Sequence, residues 1–448
     1  MKRFLYAWLI LLPARCLLAQ SIGYGDVKGI FITKCATCHR PGEAAPFALL
    51  TYADIARRAA FIKKVIGSNY MPPWRADIHY RDFANDRRLT AKEKDMIMQW
   101  IDAGAPRGSG SDASAGGRGG NDAGVGSGGD DRMGLLAGTA YNRPPDLSLR
   151  IDSSFLVPGD NAERFIVFKL PYELPEGENI EAVEFYCNNK KLIHHINYGF
   201  YDVPDTAVDI RGGSRYLDVS IPGPALNEYN RLKKNFTYYT GWVPGATAES
   251  YPPGFGWVLP KRGVVLLTAH YVALGADERS IVGVNLFFTK KPILRPVRII
   301  SLGSSGIGED AISPPLLIRA GRVDSFSLKV KTPKDQSILY VWPHMHYIGK
   351  EIRAFAVTPG GDTIPLVHIP DWDFRWQELY RMKNLVKIPA GSVVHLIGVY
   401  DNTAGNPANP NSPPRMIFST GNMESNNEML TLILIYVNSE EGDEKIGL

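Results

Sequence analysis

"SILYVWPHMHYIGKEI", residues 337–352, joins a short apolar run to two histidines one residue apart. The run is rich in β-branched and aromatic residues, and it reads as a buried β-strand. Alternate strand residues share a face, so the spacing predicts that His344 and His346 present two imidazoles side by side. Such a pair suits half a metal site or two structural histidines equally well, and its meaning depends on partners elsewhere in the chain.

Working outward, similar runs recur from residue 140 onward: "ERFIVFKL", "IEAVEFYCN", "GVVLLTAHYVAL", "IVGVNLFFT", "SFSLKVKT" and "GSVVHLIGVY". Pro, Gly, Asn and Asp separate them, the pattern of antiparallel sandwiches or jelly rolls. The chain has 448 residues, more than one hydrophobic core comfortably serves. The expected architecture is therefore multidomain: a small all-α domain (21–106) followed by two antiparallel β-sandwich (jelly-roll) domains, 139–305 and 306–448. Hydrophobic content of 44%, charged content of 21% and a formal charge of +4 are ordinary for a globular protein, and they give no sign of nucleic-acid binding.

The opening "MKRFLYAWLILLPARCLLAQS" has a basic start, an apolar run and small residues near Ala19, as in a secretory signal. Residues 1–20 are expected to be that signal, with cleavage near Ala19 or Gln20 and a periplasmic or secreted product; an uncleaved anchor is the alternative. No other stretch is apolar for the roughly 18 residues that a membrane helix needs. Of the four cysteines, Cys16 falls in the signal and Cys187 reads as a buried small hydrophobe.

The other two lie in Cys35-Ala-Thr-Cys38-His39, the C-x-x-C-H attachment signature of haem c. Two thiols bond the haem vinyl groups, and the adjacent imidazole lies beneath the iron. "GDVKGIFITKCATCH", "TYADIARRAAFIKKVIGS" and "TAKEKDMIMQWIDAG" read as flanking helices, the last opened by a Thr90-to-Glu93 capping box. In "NYMPPWRADIHY", Met71 precedes two stiffening prolines and is the expected distal ligand; Met96, Met98 and His79 are weaker candidates. Residues 107–138 then turn to Gly, Ser and Asp and read as a flexible linker. A coil of about 25 residues typically spans about 25 to 30 Å, enough to let a haem domain swing.

The first sandwich holds the doublet His194–His195 in "KKLIHHINYGFYDV" and His270 in "LLTAHYVALG". Neighbouring strand residues point oppositely, so both members of the doublet reach one metal only at an edge, a bulge or a strand end. Three imidazoles would suit copper or zinc. In the second sandwich, Met429 heads the apolar strand of "GNMESNNEMLTLILIYV", with Met423 as a competing sulfur. Two imidazoles and a thioether select copper.

In this order, the His-His doublet, the "AHY" histidine, "HMHYIGKEI" and the late "NEMLTLILIY" resemble the copper type II, ascorbate-dependent monooxygenases, which include peptidylglycine α-hydroxylating and dopamine β-monooxygenases. The likeness covers roughly residues 140–448. "IPDWDFRWQELYRM", "IPAGSVVHLIGVYDNTAGNPANP" and "MPPW" are similar to bacterial proteins that fuse a cytochrome c to this copper module. The resemblance implies two copper ions: one for electron transfer on His194, His195 and His270, and one catalytic on His344, His346 and Met429, facing each other across a solvent-filled cleft. It also implies dioxygen and an unknown small-molecule or peptide-like substrate as partners, with an external electron donor upstream of the haem.

Departures narrow the expectation. Trp342 stands where the amidating members use arginine, and Ile433 and Thr431 stand where they use Tyr and Asn, which counts against a glycine-extended peptide. The animal enzymes' disulfides are missing, and His79, His368 and His395 match nothing and read as structural. The expectation is an exported copper monooxygenase-like oxidoreductase fed by haem c. Its alternatives are a non-catalytic electron-transfer or copper-binding protein, and a carbohydrate- or surface-binding sandwich.

Overall fold

A computed structural model describes residues 22–108, 141, 143–220, 224–272, 274–419 and 427–448. The expected signal, most of the linker and Met423 lie outside the described residues.

A five-stranded sheet runs in the order Tyr216–Asp218, Arg164–Glu173, Arg262–Tyr271, Ile193–Asp202, Asn235–Trp242. It shares one core with a second sheet ordered Leu147–Arg150, Val282–Phe288, Glu178–Cys187, Phe255–Leu259, Arg295–Pro296. Two four-stranded sheets follow: Arg298–Gly303, Thr431–Asn438, Gln336–His344, Tyr380–Ile388, and Val323–Lys331, Val393–Asp401, Gly349–Val357, Thr363–Ile369. Alternation makes these strands. In Val393–Asp401, Val394, Leu396 and Tyr400 face the second core, whereas their neighbours are less buried.

Thr431–Asn438 differs, because nearly every residue is buried. Leu432 and Leu434 enter the second core, while Ile433, Ile435 and Val437 enter the first. One sheet is thus covered on both faces, and it cements the two halves of the β-structure together. The adjacent strand ends at His344, which this arrangement brings up against the first half.

The expected all-α cytochrome c domain is corrected by the structure, which is mostly β. Among the described residues the helices are short: Tyr24–Lys34, Tyr52–Ala56, Ala59–Gly67 and Ala91–Asp102. They gather around Phe31, Ile97 and Trp100, and the Thr90–Glu93 capping box is present. They do not stand apart as a domain, however. The segment after Gly67 carries Pro72 and Pro73, cannot continue a helix, and lies against the second half of the β-structure.

There Asp77 N–H donates to the His368 carbonyl at 2.8 Å and Ala84 N–H to the Arg381 carbonyl at 2.7 Å. Phe83 bridges to Met382 and is buried in the second core beside Tyr380. Ion pairs Arg75–Asp373, Arg87–Glu378 and Lys190–Glu43 add further ties. The swinging haem unit is therefore also corrected: the segment is stitched in place. Among the described residues, no helix is long and apolar enough to cross a membrane.

Candidate metal centre

Adjacent strand residues cannot normally share a face, and the doublet solves this with a bulge. His195 lies opposite His270, but the next pair is Tyr271 with Ile193, so His194 is the extra residue. The bulge re-aims its ring. One ring nitrogen from each of His194, His195 and His270 can be chosen so that all three lie within 4.8 Å of one another, a spacing that could hold a metal ion. His194 Nδ1 and His195 Nδ1 are 3.0 Å apart.

These rings lack the polar partners that burial demands. His194 Nε2 and both nitrogens of His270 are buried without a hydrogen bond. His270 Nε2 lies 3.4 Å from Glu163, but the two are not aligned for a hydrogen bond. Orphaned buried nitrogens are rare, and a shared cation would satisfy them. Burial and then the neighbouring His270 hold His194 down to about 3; burial holds His195 well below its ordinary value. At neutral pH both are uncharged, the form that binds a metal.

The strand carrying the second pair ends at His344, and His346 lies in the turn beyond. The pair is thus not held by strand alternation, as the sequence predicts, but by a network around the turn. Gln377 Oε1 lies 2.7 Å from His344 Nδ1, and the Asn427 carbonyl lies 2.9 Å from His346 Nδ1. Both contacts leave Nε2 for a ligand. The Glu428 carboxylate accepts from the N–H groups of His346 and Ile348, each at 2.9 Å. Burial pushes Glu428 up to about 8 despite those donors. Burial lowers His344 to about 4 and His346 to about 3. Met429 follows Glu428 directly and is buried, its carbonyl accepting from Tyr400 O–H at 2.6 Å.

No cleft separates the two histidine groups among the described residues. The rings of His195 and His344 are 5.8 Å apart, and those of His344 and His346 are 5.0 Å apart. Phe374 lies between 4.5 and 6.3 Å from all five imidazoles. The five histidines, His194 and His344 half-buried and the other three buried, form one cluster around a phenylalanine, because the doubly covered sheet presses His344 onto the first half.

The C-x-x-C-H segment borders a cavity of about 410 Å³ lined by Cys35, Cys38, His39, Met71, Phe47 and Ile62, among others. That volume is typical of a cofactor pocket. His39 Nδ1 lies 3.0 Å from the Phe47 carbonyl, which orients the ring. Burial, with Cys38 beside it, pushes the Cys35 thiol up to about 12, and neither thiol is in a disulfide. The residues fit a covalently held planar group. The same cavity is walled by Ile193, His194, Val272 and Trp376.

Of the remaining candidates, Met96 and Met98 pack among the helices and His79 is exposed. His368 pairs with Glu351 at 3.1 Å, His395 stacks on Phe355, and the Cys187 thiol is buried 3.6 Å from Ser280 Oγ. Sequence reasoning missed Phe374, Gln377, Glu163 and Glu428. Only Glu428, next to Met429, had a local signal.

No family model and no curated protein matches the chain. Among solved structures it is similar to PNGF-II, at 9% identity over 66% of each chain with a TM-score of 0.27. It is also similar to the infectious bursal disease virus VP2 subviral particle (13% identity, 66% of this chain and 77% of that one, TM-score 0.16) and to allantoicase (10%, 56% and 83%, TM-score 0.16).

Proposed function

We propose that this chain is an exported copper-dependent monooxygenase-like oxidoreductase, with electrons supplied through haem c attached at Cys35 and Cys38. What supports the reading is the five-histidine cluster with its orphaned ring nitrogens, set beside a cavity that the C-x-x-C-H segment borders. Copper bound there would supply one-electron chemistry with dioxygen. His194, His195 and His270 offer one set of neutral nitrogens, and His344 and His346, with Met429, the other. Gln377 and Asn427 orient the second pair, Glu428 holds its turn, and Phe374 keeps water from among the rings.

A second reading, non-catalytic electron transfer or copper binding, is favoured by burial. His195, His270 and His346 are 2%, 1% and 3% exposed, which leaves little room for a substrate. The test is chain matured in a haem- and copper-replete periplasm, assayed for metals and for oxygen uptake. Uptake coupled to a hydroxylated product supports the enzyme; both metals without uptake supports the carrier; absence of copper refutes both.

A further inference from the structure

The haem cavity and the three-histidine group meet at one residue. His194 lines the cavity that Cys35, Cys38 and His39 border, and one of its ring nitrogens lies within 4.8 Å of those of His195 and His270. Trp376 lines the same wall and meets Tyr70 edge-on at 5.7 Å. Val272 lies two residues beyond His270 and lines the cavity too.

This wall is held closed by contacts on both sides of the two sequence motifs. Glu43, four residues past His39, pairs at 3.0 Å with Lys190, four residues before His194, and both side chains are nearly buried. A Cβ added at Gly245 would lie 2.6 Å from Cys38 Sγ and 2.2 Å from Arg87 Nη1, so the β-structure touches the attachment loop itself. Arg87 is in turn paired with the buried Glu378. A group bonded to Cys35 and Cys38 is thereby confined against His194.

We infer that His194 is the electron-entry ligand: a single imidazole that is both a wall of the haem cavity and a member of the metal group. The inference rests on the functional reading above and adds the route. Transfer is fixed and internal, with no swinging of the haem segment and no carrier between haem and metal. With both groups bound, each event would move one electron from ferrous haem iron, held at Cys35, Cys38 and His39, to a cupric ion held by His194, His195 and His270, with no bond made or broken and no proton transferred. Trp376 is a positioning residue, holding Tyr70 and the cavity wall.

The experiment uses the full chain loaded with haem and copper. Electron paramagnetic resonance of the oxidised protein should show the cupric signal broadened or relaxed faster by ferric haem. Anaerobic stopped-flow should show ferrous haem oxidised by cupric ion in a first-order step, independent of protein concentration and of added glycerol. Lys190→Met, which removes the pair with Glu43 and touches neither a thiol nor a histidine, loosens the attachment segment from the wall. It should slow that step at least tenfold while haem and copper contents stay unchanged; Trp376→Leu, the milder variant, should slow it less. A rate that rises with protein concentration or falls with viscosity overturns the inference, as does a doubly loaded chain with no spin interaction. A chain that takes up haem but no copper overturns the functional reading instead, and this inference with it.

Discussion

Replacing Phe83 by alanine measures how firmly the C-x-x-C-H segment is joined to the β-structure. Phe83 is 2% exposed and packs 4.8 Å from Tyr380 and 6.1 Å from Trp74. A phenylalanine ring so placed removes on the order of 150–200 Å² of apolar surface from water, which at about 25 cal/mol/Å² amounts to about 4–5 kcal/mol. Truncation of such a residue costs about 3–5 kcal/mol once the cavity is counted. The loss has two ways to show itself. If the segment stays docked, the unfolding midpoint of the whole chain falls. If it lets go locally, the loss is capped by the docking free energy and appears as faster amide exchange at Asp77 and Ala84, whose N–H groups donate across the junction. A local loss of about 3 kcal/mol raises exchange roughly a hundredfold. Denaturant titration and hydrogen exchange on Phe83→Ala read both. Exchange within threefold of the parent at these amides, together with an unchanged midpoint, would refute the docking and restore a mobile N-terminal segment.

Three further outcomes follow from the site and its supports. His270→Ala should abolish copper binding at the three-histidine group, seen as lower copper per chain. It should also abolish the stabilisation of about 2.7 kcal/mol expected for the parent at a metal concentration a hundredfold over Kd. Glu428→Ala removes the acceptor of the His346 and Ile348 amides, at a cost of about 1–3 kcal/mol; a thermal melt matching the parent's would show that the carboxyl group does not hold the turn. Asp443→Asn breaks a two-point contact with Arg295, whose Nη1 and Nη2 each lie 2.9 Å from a carboxylate oxygen. Arg295 keeps Glu440 at 3.1 Å and the Asn438 carbonyl at 2.8 Å, so the loss should be about 1–3 kcal/mol at neutral pH. Burial raises Asp443, but Arg295 outweighs it and holds the carboxyl below its ordinary range. The contribution is therefore present above the unfolded value near about 4 and is lost as pH falls through the lower folded one, so parent and variant should converge in acid.

The chain's β-content, its C-x-x-C-H segment and each histidine of the cluster are legible from local patterns. Alternating runs such as Val393–Asp401 announce strands because their burial repeats every two residues. The doublet at 194–195 announces an irregularity, since adjacent strand residues cannot otherwise converge, and a bulge is found there. What stayed hidden depends on long-range packing. Phe83 in the second core and Glu43 on Lys190 join residues 299 and 147 positions from their partners Met382 and Lys190, and nothing near either residue signals it. The helices around Trp100 therefore read as a free domain, although the structure binds them to a predominantly β molecule. Likewise, residue order separates His195 from His344 by about half of the β-structure, and only the sheet buried on both faces brings their rings to 5.8 Å. Side-chain type and spacing determine which atoms can bind a metal; how many share one site is settled by how the sheets stack, because hydrophobic burial is proportional to area and indifferent to distance along the chain.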